Sequence, residues 1–231
     1  MILAINTSTL QFSLALLKQN GTIAAEQMMF RKKGNFGSLM PAVDHLLAIS
    51  DARPSDLSCI AVAIGPGSFT GLRIGISLAK GLCHALKIPI AGVSSLEALA
   101  SQIPFAKFPV IPLLRSRKGE VFTAKFIQNH HQQIERQQED ISIKLSDLFS
   151  TLREPALIIG DNFEEQAPVF QDKTGTSITM LALPHYWNLR ASSVGAMGLR
   201  KFTRNDLDDP YGIKPIYLRP PDIRPNPFSH H

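Results

Sequence analysis

Apolar runs and polar turns alternate along the first part of the chain, and the pattern predicts both strands and helices. The predicted elements, in order, are strands at Ile2–Ile5, Phe12–Leu17 and Ile23–Phe30, a helix at Leu39–Ile49, a strand at Leu57–Ile64, a helix at Leu72–Leu86, a strand at Ile88–Val93, and a short helix that Ser95 caps and that ends near Ser101. Asn20-Gly21 is a strong hairpin signal, and Ser38 is the predicted N-cap of the first helix. Antiparallel strands followed by alternating helices and strands indicate a mixed sheet covered by helices.

A segment with three prolines, Pro104–Pro112, interrupts this pattern and marks a predicted boundary between two halves. The elements predicted beyond it are a hairpin of Val110–Leu114 and Val121–Ile127, a buried strand at Ala156–Ile159 followed by a turn at Gly160-Asp161, and a helix at Ala191–Phe202. The polar stretch Asn129–Asp140 is predicted to be an exposed connection or edge. We therefore predict one domain over 1–103, a second over 104–219, and a proline-rich tail over 220–231 that lies on the surface.

The glycine-rich turn from Gly65 to Gly71 follows a predicted strand and leads directly into a predicted helix. Backbone N–H groups in such a turn point at a space where an anion can sit. The turn lacks the Lys-Ser/Thr of a Walker A loop, and Thr70 stands where the dinucleotide fingerprint needs glycine. The general motifs therefore leave its ligand open.

As a whole string, residues 61–75 closely resemble the signature of the bacterial TsaB (YeaZ-like) family. These proteins are relatives of the glycoprotease-like TsaD proteins, which work on threonylcarbamoyladenosine in tRNA. Further segments in the family's order are Ile2–Thr9, Ser38–Leu47, Arg117–Phe122, Gly160-Asp161 and Pro215–Arg219. The resemblance implies an α/β, actin-like (ASKHA) ATPase-type fold with two related subdomains, each a mixed sheet flanked by helices. Periodicity alone does not choose that fold.

In the actin-like superfold the first hairpin's turn, here Asn6-Thr7-Ser8, faces nucleotide phosphates and usually offers an Asp. This chain has Asn6, and an amide is a poor Mg²⁺ ligand. The family's usual Asp before the second hairpin is replaced by Arg115. The remaining candidates for a vestigial phosphate site are Asn6, Thr7, Ser8, Gly65, Gly67, Ser68, Thr70 and Gly71. We predict no catalytic residue, no metal site and no required cofactor. The interface of a complex is the one place left open for ATP or ADP, and the sequence does not decide whether either binds there.

The predicted helix after the glycine turn has a narrow polar arc and apolar or glycine residues around most of its circumference. A helix packed on one sheet needs an apolar stripe of only about 100°. The surplus surface indicates either a second layer from the same chain or another subunit. The resemblance favours another subunit, since the family pairs through these helices with TsaD, or with itself when TsaD is absent. The predicted interface is Leu39, Val43, Leu46, Leu72, Arg73, Ile76, Ala79, Lys80 and Cys83.

The composition, with 44% hydrophobic and 19% charged residues, is enough for a buried core in a chain of 231 residues. No apolar run approaches the roughly 20 residues of a membrane helix, and the chain is predicted to be cytoplasmic. The net charge is +5, and Arg115, Arg117 and Lys118 form a candidate tRNA contact. Aromatic residues are sparse and are not interleaved with the basic ones, which argues against a stacking platform for single strands.

Together, the residues and the resemblance predict a non-catalytic scaffold or activating subunit. It would serve threonylcarbamoylation of adenosine 37 in tRNAs that read codons beginning with A, acting with TsaD and TsaE. Two alternatives stay open: an independent ATPase or glycoprotease-like hydrolase, and a tRNA-binding module. The terminal His230-His231 receives no function.

Overall fold

The computed structural model of the chain describes residues 1–30, 37–171 and 179–219, and its strands form two five-stranded sheets. The predicted tail over 220–231, with His230-His231, lies outside the described residues. The first sheet contains β1 (Ile2–Asn6), β2 (Gln11–Leu17), β3 (Ile23–Phe30), β4 (Cys59–Gly65) and β5 (Ile90–Ser94). The second contains β6 (Val110–Arg115), β7 (Glu120–Gln128), β8 (Ile134–Lys144), β9 (Ala156–Gly160) and β10 (Thr179–Leu181).

The first sheet is mixed, in the order β3-β2-β1-β4-β5. Strand β1 is antiparallel to β2 and parallel to β4, with Asn6 opposite Ser13 and Ile2 opposite Cys59. Successive side chains of a strand point to opposite faces. In β1, therefore, Leu3 and Ile5 enter the apolar cluster on one face, while Ile2 and Ala4 enter the cluster on the other. Burial on both faces explains why β1 is an unbroken apolar run.

Helices α1 (Leu39–Ile49) and α2 (Phe69–Leu86) cover one face of the first sheet. The other face is covered by α3 (Ser95–Ala100) and α7 (Ala191–Thr203). Helix α7 lies very close to the strands because two of its residues are glycines. A Cβ on Gly195 would overlap the Leu17 side chain, and one on Gly198 would overlap Ala61.

The second sheet has the order β10-β9-β6-β7-β8, with β6 and β7 as the predicted hairpin. The shorter helices α4 (Leu145–Thr151), α5 (Phe163–Gln166) and α6 (Pro168–Gln171) accompany this half. The polar stretch that was predicted to be a connection or an edge contributes to β8, which lies at the edge of the sheet. Its side chains are exposed or half-buried, as an edge strand with one solvated face allows.

Two predicted helix starts need correction, and one predicted N-cap lacks its side-chain hydrogen bond. Helix α2 begins at Phe69 rather than Leu72, because Ser68 is its N-cap and accepts a hydrogen bond from the Gly71 amide at 3.3 Å. Helix α3 is capped by Ser94 rather than Ser95, through the Glu97 amide at 3.4 Å. Ser38 occupies the N-cap position of α1, but its side chain makes no capping bond.

The strands of the two sheets fall on either side of residue 104 in the sequence. Helix α7, however, comes from the second stretch and packs on the first sheet. The second stretch thus contributes to both halves of the fold, and the division at residue 104 stays a prediction.

Candidate functional site

The turn between β1 and β2 is built around the fully buried Asn6 side chain. Its Nδ2 donates to the Leu189 carbonyl at 2.9 Å, two residues before α7. Its Oδ1 accepts from the Ser8 amide at 3.0 Å and the Ser8 hydroxyl at 2.7 Å. Because an amide can donate and accept at once, Asn6 ties the turn to the entry of α7, and its hydrogen-bonding atoms are engaged within the chain.

The glycine turn is packed directly on this β1–β2 turn. The Ser68 amide donates to the Ser8 carbonyl at 2.7 Å, and the Thr7 hydroxyl donates to the Gly71 carbonyl at 2.8 Å. A Cβ on Gly67 would overlap the Ser8 carbonyl, and one on Gly71 would overlap the Thr7 carbonyl. The glycines are therefore needed for close approach of two backbone segments.

A cleft of about 460 Å³ lies between the glycine turn and the second sheet. Its first-sheet side includes Ser8, Gly67, Ser68 and Phe69, whereas Thr70 is exposed at the start of α2. Its other walls come from the β6–β7 hairpin, the end of β9 and residues 216–219. Phosphate binding by the predicted vestigial site stays a prediction.

Asp161, at the end of β9, is the buried carboxyl of this cleft. It accepts hydrogen bonds from the Arg115 amide at 3.2 Å and from Gln166 Nε2 at 2.9 Å. Burial nevertheless dominates and raises the pKa of Asp161 to about 6. Asp161 is not among the site residues predicted from the sequence, although its position after a buried strand and a glycine is a usable signal.

The cleft's arginines are paired with carboxylates. Arg115 pairs with Glu165, while Arg117 and Arg219 both pair with Glu120, at 2.7 and 3.0 Å. The hydrogen bond from Arg117 holds the pKa of the Glu120 carboxyl below its usual range. An RNA phosphate that bound Arg115 or Arg117, two residues of the predicted tRNA contact, would have to displace these carboxylates. Lys118, the third residue of that contact, is exposed beside them.

Most residues of the predicted partner interface are core residues of this chain. The seven apolar ones are each less than 10% exposed: Leu39, Val43, Leu46, Leu72, Ile76, Ala79 and Cys83. They are buried because α1 and α2 turn these positions toward the first sheet. This part of the assignment needs correction, since only accessible positions on the two helices can meet a partner. Arg73 is exposed and Lys80 is half-buried.

The polar arc of α2 is partly covered by residues 208–219, which we call the strap. Lys80 Nζ donates to the Tyr211 carbonyl at 3.2 Å, and the Tyr211 hydroxyl lies 3.3 Å from His84 Nδ1. Arg73 Nε donates to the Tyr217 hydroxyl at 3.0 Å. A second layer from the same chain was one of the two alternatives open from the sequence, but nothing in the local pattern of the strap indicates that it packs on the polar arc.

The described residues contain no group of three or more His, Cys, Asp and Glu side chains that could hold a metal ion. Cys59 and Cys83 are both buried as free thiols. Burial raises the pKa of the Cys59 thiol to about 12 and that of Cys83 to about 11. Because the thiolate is the nucleophilic form, these cysteines are poor nucleophiles.

Comparison with known proteins places this geometry in a family. The family described as "TsaD: tRNA N6-adenosine threonylcarbamoyltransferase" matches residues 36–186. The Bacillus subtilis tRNA threonylcarbamoyladenosine biosynthesis protein TsaB is 37% identical over 94% of this chain and 93% of its own length. The chain belongs to the TsaB family. It thereby belongs to a group of proteins involved in tRNA threonylcarbamoyladenosine biosynthesis.

Solved structures confirm the fold of this TsaB-family chain. A Pseudomonas aeruginosa protein with similarity to peptidase YeaZ has a TM-score of 0.75 at 22% identity, covering 94% of this chain and 99% of that one. The ADPNP-bound activator of 2-hydroxyisocaproyl-CoA dehydratase from Clostridium difficile has a TM-score of 0.53 at 9% identity, covering 94% and 99%. The predicted actin-like ATPase-type fold is confirmed. In the described part of the chain, none of the helices has the length and apolar character to span a bilayer.

Proposed function

We propose that this chain is a non-catalytic subunit that supports threonylcarbamoylation of adenosine 37 in tRNA, acting with TsaD and TsaE. The observation that carries the proposal is the β1–β2 turn. Asn6 is fully buried, and both ends of its amide are bonded within the chain. A neutral, fully engaged amide offers neither a carboxylate for a metal nor a base for a water molecule.

The chain's contribution is then binding and positioning rather than bond-making. In the proposed assembly TsaD performs the transfer, and this chain requires no cofactor of its own. An adenine nucleotide would be bound only where the two proteins meet. The packed glycine turn supports this assignment, because its Gly67 and Gly71 backbones are held against Ser8 and Thr7.

The decisive experiment combines this chain with TsaD and TsaE from the same cell and measures modified adenosine in tRNA. We expect modification only when this chain is present. In parallel, ATP and glycopeptide hydrolysis by the chain alone should stay at the level of a buffer blank. Full modification by TsaD and TsaE without this chain would overturn the proposal, and hydrolysis by the chain alone would favour the hydrolase alternative.

The proposed contact with TsaD, or with a second copy when TsaD is absent, uses accessible positions of α1 and α2. Ile49 is 58% exposed at the end of α1, and Ala85 is exposed on α2. Glutamate at either position would bury a charge in the contact, which is costly without a partner. Ile49→Glu and Ala85→Glu should therefore raise the dissociation constant of this contact at least tenfold, as measured by sedimentation with TsaD and with the chain alone.

Phe105→Glu is the matched control, since Phe105 is 73% exposed in the other half of the sequence. It should leave association unchanged. If all three variants associate like the unmodified chain, the contact lies elsewhere. Circular dichroism would verify that each variant is folded, which is expected because none of the three side chains is buried.

A further inference from the structure

The strap consists of two parts that are held in different ways. Its first part, residues 208–213, is anchored in the fold. The Asp208 carboxylate accepts from the Gly92 amide at 2.7 Å and pairs with Lys201 at 3.0 Å. Ile213 is 7% exposed and belongs to the apolar cluster beneath α1 and α2. Removing this part would expose the apolar residues that Ile213 packs against to solvent.

The second part, residues 214–219, has no helix or strand and is held by a few contacts near the surface. The Ile216 amide donates to the Ile64 carbonyl at 2.7 Å. Tyr217 receives a hydrogen bond from Arg73, and its ring centroid lies 4.9 Å from that of Phe69. Arg219 donates to Ser116 at 3.1 Å and to Glu120 at 3.0 Å.

These contacts differ from those of the core in strength. Hydrogen bonds at exposed side chains contribute little net stability, and segments with few buried apolar contacts open at lower free energy than the whole fold. Tyr217 is 41% exposed, and Leu218, which packs against the larger apolar cluster, is only partly buried. Residues 214–219 can therefore separate from the surface while residues 208–213 stay in place.

The position of the second part gives such an opening a consequence. Residues 216–219 form one wall of the 460 Å³ cleft, facing the glycine turn and Asp161. The Ile216 carbonyl also lies against Gly65, where an added Cβ would be only 2.7 Å away. Moving this wall widens the cleft, uncovers Gly65 and separates Arg73 from Tyr217 and Arg219 from Glu120.

We propose that residues 214–219 form a gate that pivots next to Ile213 and controls access to the cleft between the glycine turn and the second sheet. The gate does not depend on the scaffold function, since every contact that holds it lies within one chain. Its opening is a local event that leaves the first sheet and the first part of the strap intact.

Amide hydrogen exchange at Ile216 tests the gate. Arg73→Ala removes the hydrogen bond to Tyr217 and the guanidinium that lies 3.9 Å over the Phe69 ring. We expect Ile216 exchange to accelerate about tenfold. Lys80→Ala is the matched control. It also removes a cation from α2, but Lys80 bonds to Tyr211 in the anchored part of the strap rather than to the gate. It should change Ile216 exchange less than twofold.

Denaturant dependence distinguishes local from global opening. Exchange at Ile216 should respond weakly to low urea, whereas the Ile60 amide, which donates to the Pro89 carbonyl inside the sheet, should exchange through global unfolding. If Ile216 follows Ile60 in its urea dependence, or accelerates equally in Arg73→Ala and Lys80→Ala, there is no gate. Tyr217→Phe, which keeps the ring, should give a smaller acceleration of about threefold.

Spin labels on Thr70→Cys, which is exposed at the start of α2, and on Leu218→Cys, which lies in the gate and lines the cleft, test the movement of this wall. In the Arg73→Ala background the distance distribution should gain a longer component, and in the Lys80→Ala background it should not. Identical distributions in the two backgrounds would overturn the link between the gate and the cleft. The native Cys59 and Cys83 are buried, which limits labelling to the introduced thiols.

Discussion

Asn6 and Asp161 are buried polar residues that follow apolar strand residues in the two halves of the fold. The free-energy cost of burying them is offset to different degrees. Asn6 is neutral, and each end of its amide has a partner of the opposite type. Asp161 is an acid whose two donors, from Arg115 and Gln166, do not offset its desolvation, so its pKa rises.

The comparison shows that the two sides of the cleft have different properties. The Asn6 side is closed by backbone packing between the glycine turn and Thr7-Ser8 and carries no titratable group at its centre. The Asp161 side is ionisable, and its protonation changes near neutral pH. Substitutions on the first side should therefore alter packing and stability, whereas those on the second should alter the pH dependence of stability.

The largest effect is expected for Gly71→Ala, which tests the closed side directly. The new Cβ would overlap the Thr7 carbonyl, and backbone cannot rotate away as a side chain can. We expect a loss of about 3–4 kcal/mol in the free energy of unfolding, measured by urea denaturation. A loss below about 0.5 kcal/mol would mean that the two turns are not in contact.

Asn6→Asp tests whether the neutrality of the first side matters. A carboxylate would face the Leu189 carbonyl with no proton to donate, and we expect a loss of about 3 kcal/mol at pH 8. Burial would raise the folded-state pKa of this Asp, so the loss should shrink as the pH falls toward 5. Asn20→Asp, in the exposed hairpin turn, should have little effect. A pH-independent loss at Asn6 would contradict the electrostatic explanation.

Asp161→Asn should remove a pH dependence that the unmodified chain shows. Because the folded pKa of about 6 exceeds the ordinary value of 3.8, the folded state holds this proton more tightly. Its stability contribution is complete below about pH 4 and is lost as the pH rises to about 6, a change of about 2–3 kcal/mol. The unfolding free energy of the parent minus that of the variant, measured from pH 4 to 7, should therefore fall by this amount as the pH rises. A flat difference would refute the raised pKa.

The smallest effect is expected for Gly81→Ala, which separates the two uses of glycine in α2. An added Cβ at Gly81 meets nothing within 4 Å. Alanine is the better helix former, so the variant should gain about 0.5–1 kcal/mol in thermal or urea unfolding. Destabilisation instead would show that Gly81, like Gly71, has a neighbour that the isolated chain does not reveal.

The sequence predicted the first half of the fold well because its elements are strongly patterned. Strands β1 to β5 and helices α1 and α2 all appear close to their predicted bounds, and the hairpin at Asn20-Gly21 is present. The misplaced start of α2 has a local cause: Ser68 caps the helix, and capping depends on backbone geometry that a hydrophobic pattern does not contain.

The candidate site was harder to predict because its features depend on contacts between distant residues. The wide apolar arc on α2 is visible in the sequence, but it does not show whether this chain or a partner covers it. In the structure Ile76 and Ala79 are buried within the chain. The contact between Arg73 and Tyr217 joins residues 144 positions apart. Likewise, the raised pKa of Asp161 follows from burial, which the sequence indicates only through the apolar strand before it.

The return of α7 to the first sheet has a consequence for synthesis on the ribosome. The sheet's strands are complete once Ser94 has been made, yet α7, which covers one of its faces together with α3, begins only at Ala191. Until then Ala4, Leu17 and Ala61, which pack against α7, lack that cover. Apolar surface of this kind is prone to aggregation in incomplete chains. The nascent chain therefore leaves these residues of the first sheet without their native neighbour until α7 has been made and has packed on them.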